Sequence, residues 1–245
     1  MLSVTIIARD EEAAIRACLE SVAWAGEIIV LDSGSTDATV AICESLGARV
    51  ERTDWPGFGA QKNRAIDRAR GDWVLALDAD ERVTPALRVE IERAIAAPGD
   101  HVAFRMPRSS SYLGRQMRHS GWWPDHVVRL FRRGHARFTD DPVHERLVAD
   151  GMVGTLAAPL EHESFTSVEE ILAKLDRYST LGAARMHAEG RRGSLSKAVV
   201  HGAWTFFRTY ILRRGFLDGR EGFMLAVSNA EGAYYRYLKL MRLDR

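Results

Sequence analysis

Gly71-Asp72-Trp73-Val74-Leu75-Ala76-Leu77-Asp78-Ala79-Asp80-Glu81 runs the apolar residues Val74 to Leu77 into two aspartates one residue apart. The apolar run is too short for a helix and is bounded by Gly71 and Pro85, which reads as a strand buried at the centre of a sheet. Side chains alternate along a strand, so Asp78 and Asp80 are expected on one side, two anionic oxygen donors aimed at one spot. Such a pair suits a hard divalent cation held partly by a substrate's phosphates. A lone Asp-x-Asp also fits a solvated strand end, so the choice rests on what the rest of the chain supplies.

Upstream, residues 3–8 read as a short buried strand, followed by the acidic turn Arg9-Asp10-Glu11-Glu12 and a helix with Ile15, Cys18, Leu19 and Val22 on one face. Residues 27–31 repeat the strand. The turn Asp32-Ser33-Gly34-Ser35-Thr36-Asp37 offers caps for a second helix, which carries Val40, Ile42, Cys43 and Leu46 and ends at Gly47. A third strand over 48–51, a loop over 55–59 and a helix over 61–69 lead to the strand at Trp73. Alternating strands and helices predict a parallel sheet with helices on its faces. Ligands of such sheets bind outside the carboxyl ends of the strands, where Asp10, Asp32 and Asp78 all fall.

Downstream, a helix is expected over 85–96, after which the alternation stops. Residues 101–107 and 126–132 read as strands, and Arg133-Gly134-His135 as a hairpin turn into Ala136-Arg137-Phe138. Tyr112, Trp122, Trp123 and Pro124 lie between those strands, as a platform for a sugar or as core closure. A polar turn, Thr139-Asp140-Asp141-Pro142-Val143-His144-Glu145, precedes a strand expected over 156–161 and ending at His162. From Ser167, a plausible N-cap, the chain reads as three helices, the first carrying Val168, Ile171, Leu172, Leu175 and Tyr178, the others over 195–214 and 223–241. Residues 185–245 hold 12 Lys and Arg against 5 Asp and Glu. Basic, aromatic-rich amphipathic helices fit the headgroup layer of an anionic membrane, and equally a packed helix with a solvated basic face.

With 245 residues, 46% hydrophobic and 27% charged, the composition is that of a soluble globular protein. The formal charge of +1 hides an asymmetry: residues 1–100 carry 11 Lys and Arg against 18 Asp and Glu, and the remainder 23 against 15. The two halves are expected to meet different partners. Cys18 and Cys43 alone support neither a disulfide framework nor a zinc cluster, and a reducing, cytoplasmic setting is expected. The opening strand lacks a signal-peptide pattern, and no apolar run approaches the ~20 residues of a membrane span. Gly57-Phe58-Gly59 is not continued into a dinucleotide fingerprint, and no Gly-Lys-Ser phosphate loop is present. The acidic sheet half argues against nucleic acid.

Taken together, four segments resemble family 2 glycosyltransferases of the GT-A fold: residues 4–12, 30–37, Gln61-Lys62-Asn63-Arg64-Ala65-Ile66, and Leu77-Asp78-Ala79-Asp80-Glu81. Val143-His144-Glu145 and the His162 segment look like the branch that includes lipopolysaccharide inner-core β-1,4-glucosyltransferases. The family often has Thr and Asn where this chain has Ala8 and Asp10, and the Gln-x-x-Arg-Trp motif of its processive polymerases is absent. The resemblance implies an α/β GT-A fold, a mostly parallel central sheet flanked by helices with a helical C-terminal extension. It implies a nucleotide-sugar half over 1–100, an acceptor half over 101–166, and a basic amphipathic extension over 167–245.

What the resemblance implies for the site is a donor end at Ala8, Arg9, Glu11, Asp32, Lys62 and Asp78, with Asp80 holding Mn²⁺ or Mg²⁺ on the donor diphosphate. A divalent ion there neutralises the leaving nucleotide. An inverting transfer also needs a base opposite the donor, and Glu145 is the candidate, with Asp140 and Asp141 better read as turn formers. His162 is a possible metal ligand or a structural histidine, and His144, Trp122 and Trp123 are candidates for the acceptor side. The expected activity is transfer of one hexose, glucose from UDP-glucose, to a membrane-associated glycolipid such as the lipopolysaccharide inner core, by a cytoplasmic enzyme peripheral to the inner face of the membrane. The alternatives are a nucleotidyltransferase and a non-catalytic nucleotide-sugar or lipid-binding protein.

Overall fold

The structure, a computed structural model, describes residues 1–140 and 145–243. The chain divides into two compact units, Met1–Arg108 with Asp125–His162, and Ser109–Pro124 with Glu163–Arg245.

In the first unit β1 (Leu2–Ala8), α1 (Ile15–Ser21), β2 (Glu27–Asp32), α2 (Thr39–Ser45), β3 (Arg49–Arg52), α3 (Phe58–Asp67) and β4 (Trp73–Asp78) alternate as the sequence predicts. The four strands run parallel in the order β3-β2-β1-β4. Alternation along β4 explains its central place. Leu75 and Leu77 pack with Val4, Ile6, Ile15, Leu19, Leu87 and Ile91 on one face of the sheet. Val74 and Ala76 pack with Ile29, Leu31, Ala65, Ile66 and Phe131 on the other. A strand apolar at every position is satisfied only when both faces are covered. Pairing of Ala8 with Asp32 and of Ile7 with Asp78 brings the carboxyl ends of β1, β2 and β4 to one level.

After β4 come β5 (Glu81–Val83) and α4 (Pro85–Ala96), the latter capped by Thr84, whose Oγ1 accepts from Leu87 N at 3.1 Å. β6 (His101–Tyr112), β7 (Arg115–Gln116) and β8 (Asp125–Arg132) follow, and β8 pairs antiparallel with both β4 and β6. With both edges of β8 taken, β9 (Ala136–Phe138) does not complete the expected hairpin on it. It forms a separate antiparallel ribbon with β10 (Leu147–Ala149). β11 (Met152–Thr155) pairs parallel with β6. The strand expected from residue 156 begins after Pro159, which has no N–H to give a ladder: β12 (Leu160–Phe165) pairs His162 opposite Glu81 of β5.

α3 lies against the strand leading out of β9. Asn63 Nδ2 donates to Phe138 O at 2.9 Å, and Phe138 N donates back to Asn63 Oδ1 at 2.9 Å. One turn earlier, Gly59 approaches so closely that a Cβ there would collide with the Thr139 carbonyl and lie 3.4 Å from Asp140 Cα.

The second unit is built on α5 (Val168–Ala188), α6 (Leu195–Phe207) and α7 (Gly219–Leu243). Ser167 caps α5 by accepting from Glu170 N at 3.2 Å, and Ser194 caps α6 by accepting from Lys197 N at 3.2 Å. α6 continues into a π-helical turn, Arg208–Leu212, and a 3-10 turn, Gly215–Asp218, before α7. No helix among the described residues is long and apolar enough to cross a membrane. Cys18 on α1 and Cys43 on α2 are buried and unbridged.

Replacing Gly59 by Ala is expected to push α3 away from the backbone of residues 139–140. A loss of about 1–3 kcal/mol, typical of overpacking against main chain, should appear as a lower midpoint in urea unfolding.

Candidate active site

Three consecutive residues of α3 reach three neighbours. Gln61 is buried and its Nε2 donates to Ser33 Oγ at 3.0 Å and Thr53 Oγ1 at 2.5 Å, tying the loop after β2 to the end of β3. Asn63 holds β9, as described. Between them Lys62 turns inward, 7% exposed, with its Nζ 2.7 Å from Asp78 Oδ1, 3.0 Å from Glu145 Oε1 and over the ring of Phe138. Lys62, placed by the resemblance at the donor end, is thus a buried cation bridging two of the candidate carboxylates.

Asp78 is held on its other oxygen as well. Arg129, on β8 and 6% exposed, puts Nη2 2.5 Å from Asp78 Oδ2 and 2.6 Å from Glu81 Oε1. Glu81, fully buried, also accepts from Asp78 N at 3.0 Å through Oε2, and lies 3.8 Å from Arg108, which in turn pairs with Asp125 at 2.6 Å. Signs alternate along the row Glu145, Lys62, Asp78, Arg129, Glu81, Arg108, Asp125. Burial pushes the Asp78 carboxyl up, but Arg129 and Lys62 outweigh it and hold it far below the usual carboxylate range. Glu81 goes the other way: burial and the Asp78 charge raise it despite Arg129. Arg129 is raised by its two carboxylates against the cost of burial.

The loops beyond β1 and β2 are laced together. Thr36 N donates to Asp10 Oδ1 at 2.7 Å, Asp10 N to Ser35 Oγ at 2.9 Å, Glu11 N to Thr39 Oγ1 at 2.8 Å, and Ala38 N to Glu12 Oε2 at 3.0 Å. Ala8 is buried and its carbonyl accepts from Ser33 N at 3.0 Å, while Arg9 is exposed, 3.8 Å from Asp10. Asp32 is wholly buried, its carboxylate accepting from Gly34 N at 3.1 Å, Ser35 N and Ser35 Oγ. These three donors fix that loop as an acidic rim level with Asp78.

β4 ends at Asp78, and residues 79–80 form a turn, so strand alternation does not extend to Asp80. The two aspartates take different partners: Asp80 Oδ2 lies 3.2 Å from Nε2 of His162, which β12 delivers opposite Glu81. Among the described residues no three His, Cys, Asp or Glu side chains gather to hold a metal unaided. One carboxylate and one imidazole leave most positions of a divalent ion to phosphate oxygens and water, a donor set that fits Mg²⁺ or Mn²⁺ in a nucleotide site. Asp78 has a protein cation on each oxygen and is not counted among those donors, though each oxygen keeps a lone pair for a hydrogen bond.

The first unit therefore brings together Lys62, Asp78 and Glu145 directly, sets Asp80 with His162 at the next turn, and places Ala8 and Asp32 at adjoining strand ends. His144 and Asp141 lie outside the described residues. Trp122 and Trp123 belong to the second unit, where Trp122 stacks on Phe165 and meets Tyr112 edge-on, and Trp123 lies under Arg118. Sequence reasoning missed Arg129. Its signal was a lone charge within the apolar strand His126-Val127-Val128-Arg129-Leu130-Phe131.

A family model described as Glycosyl transferase family 2 matches residues 3–152. The lipopolysaccharide core biosynthesis glycosyltransferase LpsC of Rhizobium meliloti (strain 1021) is 32% identical over 99% of this chain and 91% of its own length. An uncharacterized glycosyltransferase of Rickettsia bellii (strain RML369-C) is 31% identical over 99% and 85%. Glucosyl-3-phosphoglycerate synthase from Mycobacterium tuberculosis, solved with Mn²⁺, UDP and phosphoglyceric acid, is 28% identical, covering 46% of this chain and 44% of that chain, with a TM-score of 0.38.

Replacing Lys62 by Met leaves Asp78 with half of its countercharge, at an expected cost of about 2–3 kcal/mol. The folded Asp78 pKa lies below its unfolded value, so its stabilisation is complete above the unfolded pKa and is lost as pH falls through the folded one. Without Lys62 the folded pKa rises toward the unfolded value, so the fall of the urea midpoint with acid should be smaller and level off at a higher pH than in the parent.

Proposed function

This chain belongs to glycosyl transferase family 2, is a glycosyltransferase and has the GT-A fold; on that premise we propose that it moves a single hexose, glucose from UDP-glucose, with inversion, to a membrane-associated glycolipid such as the lipopolysaccharide inner core. The observation that carries the reading is the Lys62 ammonium bridging Asp78, at the end of a parallel strand, to Glu145, beyond the ribbon strand β9. It supports a site with a donor end and an acceptor end fastened at one cation.

In this reading Ala8, Arg9, Glu11 and Asp32 receive the nucleoside at the laced loops, and Asp78 accepts from ribose hydroxyls. Asp80 and His162 hold a divalent ion, which supplies neutralisation of the leaving diphosphate. Glu145 takes the proton of the attacking acceptor hydroxyl as the new glycosidic bond forms and the bond to the diphosphate breaks. His144, Trp122 and Trp123 serve the acceptor. Residues 1–100 are the nucleotide-sugar half, 101–166 the acceptor half and 167–245 a basic extension that rests on the inner face of an anionic membrane. The name of the Rhizobium meliloti relative supports the choice of acceptor, and the glycolipid acceptor supports the peripheral location.

UDP-glucose with Mn²⁺ should raise the midpoint of thermal unfolding more than either alone, and Asp80→Asn should remove the metal-dependent part of that rise. No response to any nucleotide sugar would remove the reading. Product analysis should find nucleoside diphosphate; free pyrophosphate would mark a nucleotidyltransferase instead.

Glu145→Gln is expected to keep the donor-induced thermal shift and to lower transfer by about 10²–10⁴-fold, the usual loss of a general base. Normal turnover by that variant would move the proton acceptor elsewhere.

A further inference from the structure

α6 is turned inside out relative to an ordinary surface helix. Its small residues Ala198 and Gly202 are buried, Gly202 so near α7 that a Cβ would stand 3.3 Å from Ala230 O. Its large apolar residues face solvent: Val200, Trp204, Phe207 and, in the following π-helical turn, Ile211 are 63%, 51%, 45% and 43% exposed. Their spacing of four, three and four residues makes one continuous stripe. Phe216 and Phe223 add exposed rings. Residues 195–217 contain Lys197, Arg208, Arg213 and Arg214 and no acidic residue. An apolar stripe with aromatic rings and only positive charge beside it matches an anionic bilayer surface, and its charge does not complement a basic or mixed protein surface.

Beside the stripe is a cavity of about 580 Å³, large enough for a small headgroup, whose three arginines have no part in the proposed transfer. Arg208, Arg213 and Arg236 line it with Ser120, Thr205 and Asn229, and its lining includes no carboxylate. None of the three arginines has an ion-pair partner among the described residues. The wall is built for them. Asp218, buried, accepts from Arg118 N, His119 N and Ser120 Oγ and so fixes the turn before Gly121. Gly121, at φ +83°, leaves room for the Arg213 guanidinium, whose Cζ would be 2.8 Å from any Cβ there. Ser120 N donates to Arg213 O at 2.9 Å, securing the same contact from the backbone. Trp204 belongs both to the stripe and to the cavity wall.

We propose that this arginine-lined cavity binds the phosphate of an anionic lipid in the bilayer on which the α6 stripe rests. The proposal rests on the membrane-surface reading of the C-terminal helices. Guanidinium forks match phosphate oxygens in pairs, so a phosphate monoester, with more unshared charge than a diester, is the best-fitting headgroup. The stripe supplies apolar contact and the cavity selects which lipid lies beneath it.

The test sediments the full chain with vesicles of phosphatidylcholine alone, of phosphatidylcholine with phosphatidic acid, and of phosphatidylcholine with phosphatidylserine at matched surface charge. The parent should prefer phosphatidic acid. Arg208→Gln/Arg213→Gln/Arg236→Gln should lower partition onto those vesicles about a hundredfold and erase the preference. Arg192→Gln/Lys197→Gln/Arg242→Gln, the same charge removed outside the cavity, should weaken both anionic vesicles alike and keep it. Two triple variants that behave alike would reduce the effect to loose surface charge and overturn the cavity. Inorganic phosphate that raises the thermal midpoint, with no preference among vesicles, would mean a site for free phosphate and overturn the lipid source. If no vesicle binds the parent, the membrane reading fails first; if Val200→Ser/Phe207→Ser/Ile211→Ser abolishes all binding while the cavity variant keeps the preference, only the present proposal fails.

Discussion

Asp78 is the point on which the first unit closes. Its carboxylate caps the central strand where parallel pairing gives way to antiparallel, and it is sandwiched between an ammonium from α3 and a guanidinium from β8. Largely buried ion pairs contribute little net stability when paired and cost a great deal when one partner is lost. Their value lies in strictness: Lys62, Arg129 and Glu81 have few arrangements in which every charge meets its opposite. Three elements far apart in sequence are thereby held to one register at the carboxyl end of the sheet's central strands.

α3 transmits that strictness. Its successive side chains at 61, 62 and 63 fasten the β2 loop, the charge row and the ribbon strand β9, while Gly59 lets the helix lie directly on main chain. A helix that carries contacts on three sides over one turn cannot slide or rotate without breaking one of them. The edge that carries Asp32, Asp78 and Glu145 is consequently tied to the core behind it through the contacts of one helix.

Much of this was legible in the sequence. The alternation of apolar runs and period-3.6 patterns over residues 1–78 predicts strands and helices that the structure reproduces, because the central strands β1, β2 and β4 are apolar on both faces and are packed on both. The charge row was not legible as a row. Arg129 sits at a strand position like any solvent-facing arginine, and only β4 lying alongside β8 reveals that it is buried against Asp78. Alternation misplaced Asp80 because a strand's period stops where its ladder stops. The hairpin expected after residue 132 failed for a tertiary reason, since both edges of β8 were already occupied. In α6 the apolar density was plain, but periodicity does not say which face of a helix meets the protein. The small residues Ala198 and Gly202 took the inside.

Both native thiols are out of reach of reagents. Burial pushes the Cys43 thiol up to about 11, and burial with the charges of Glu81, Asp80 and Asp78 raises Cys18 well above its ordinary value, its Sγ donating to Asp78 O at 3.6 Å. Since the thiolate is the reactive species, neither is a target for maleimides or for air oxidation in the folded chain. The molecule is therefore, for labelling purposes, a scaffold with a silent background: one cysteine introduced on the exposed stripe of α6 would carry a fluorophore or spin label alone, with no native residue to remove first.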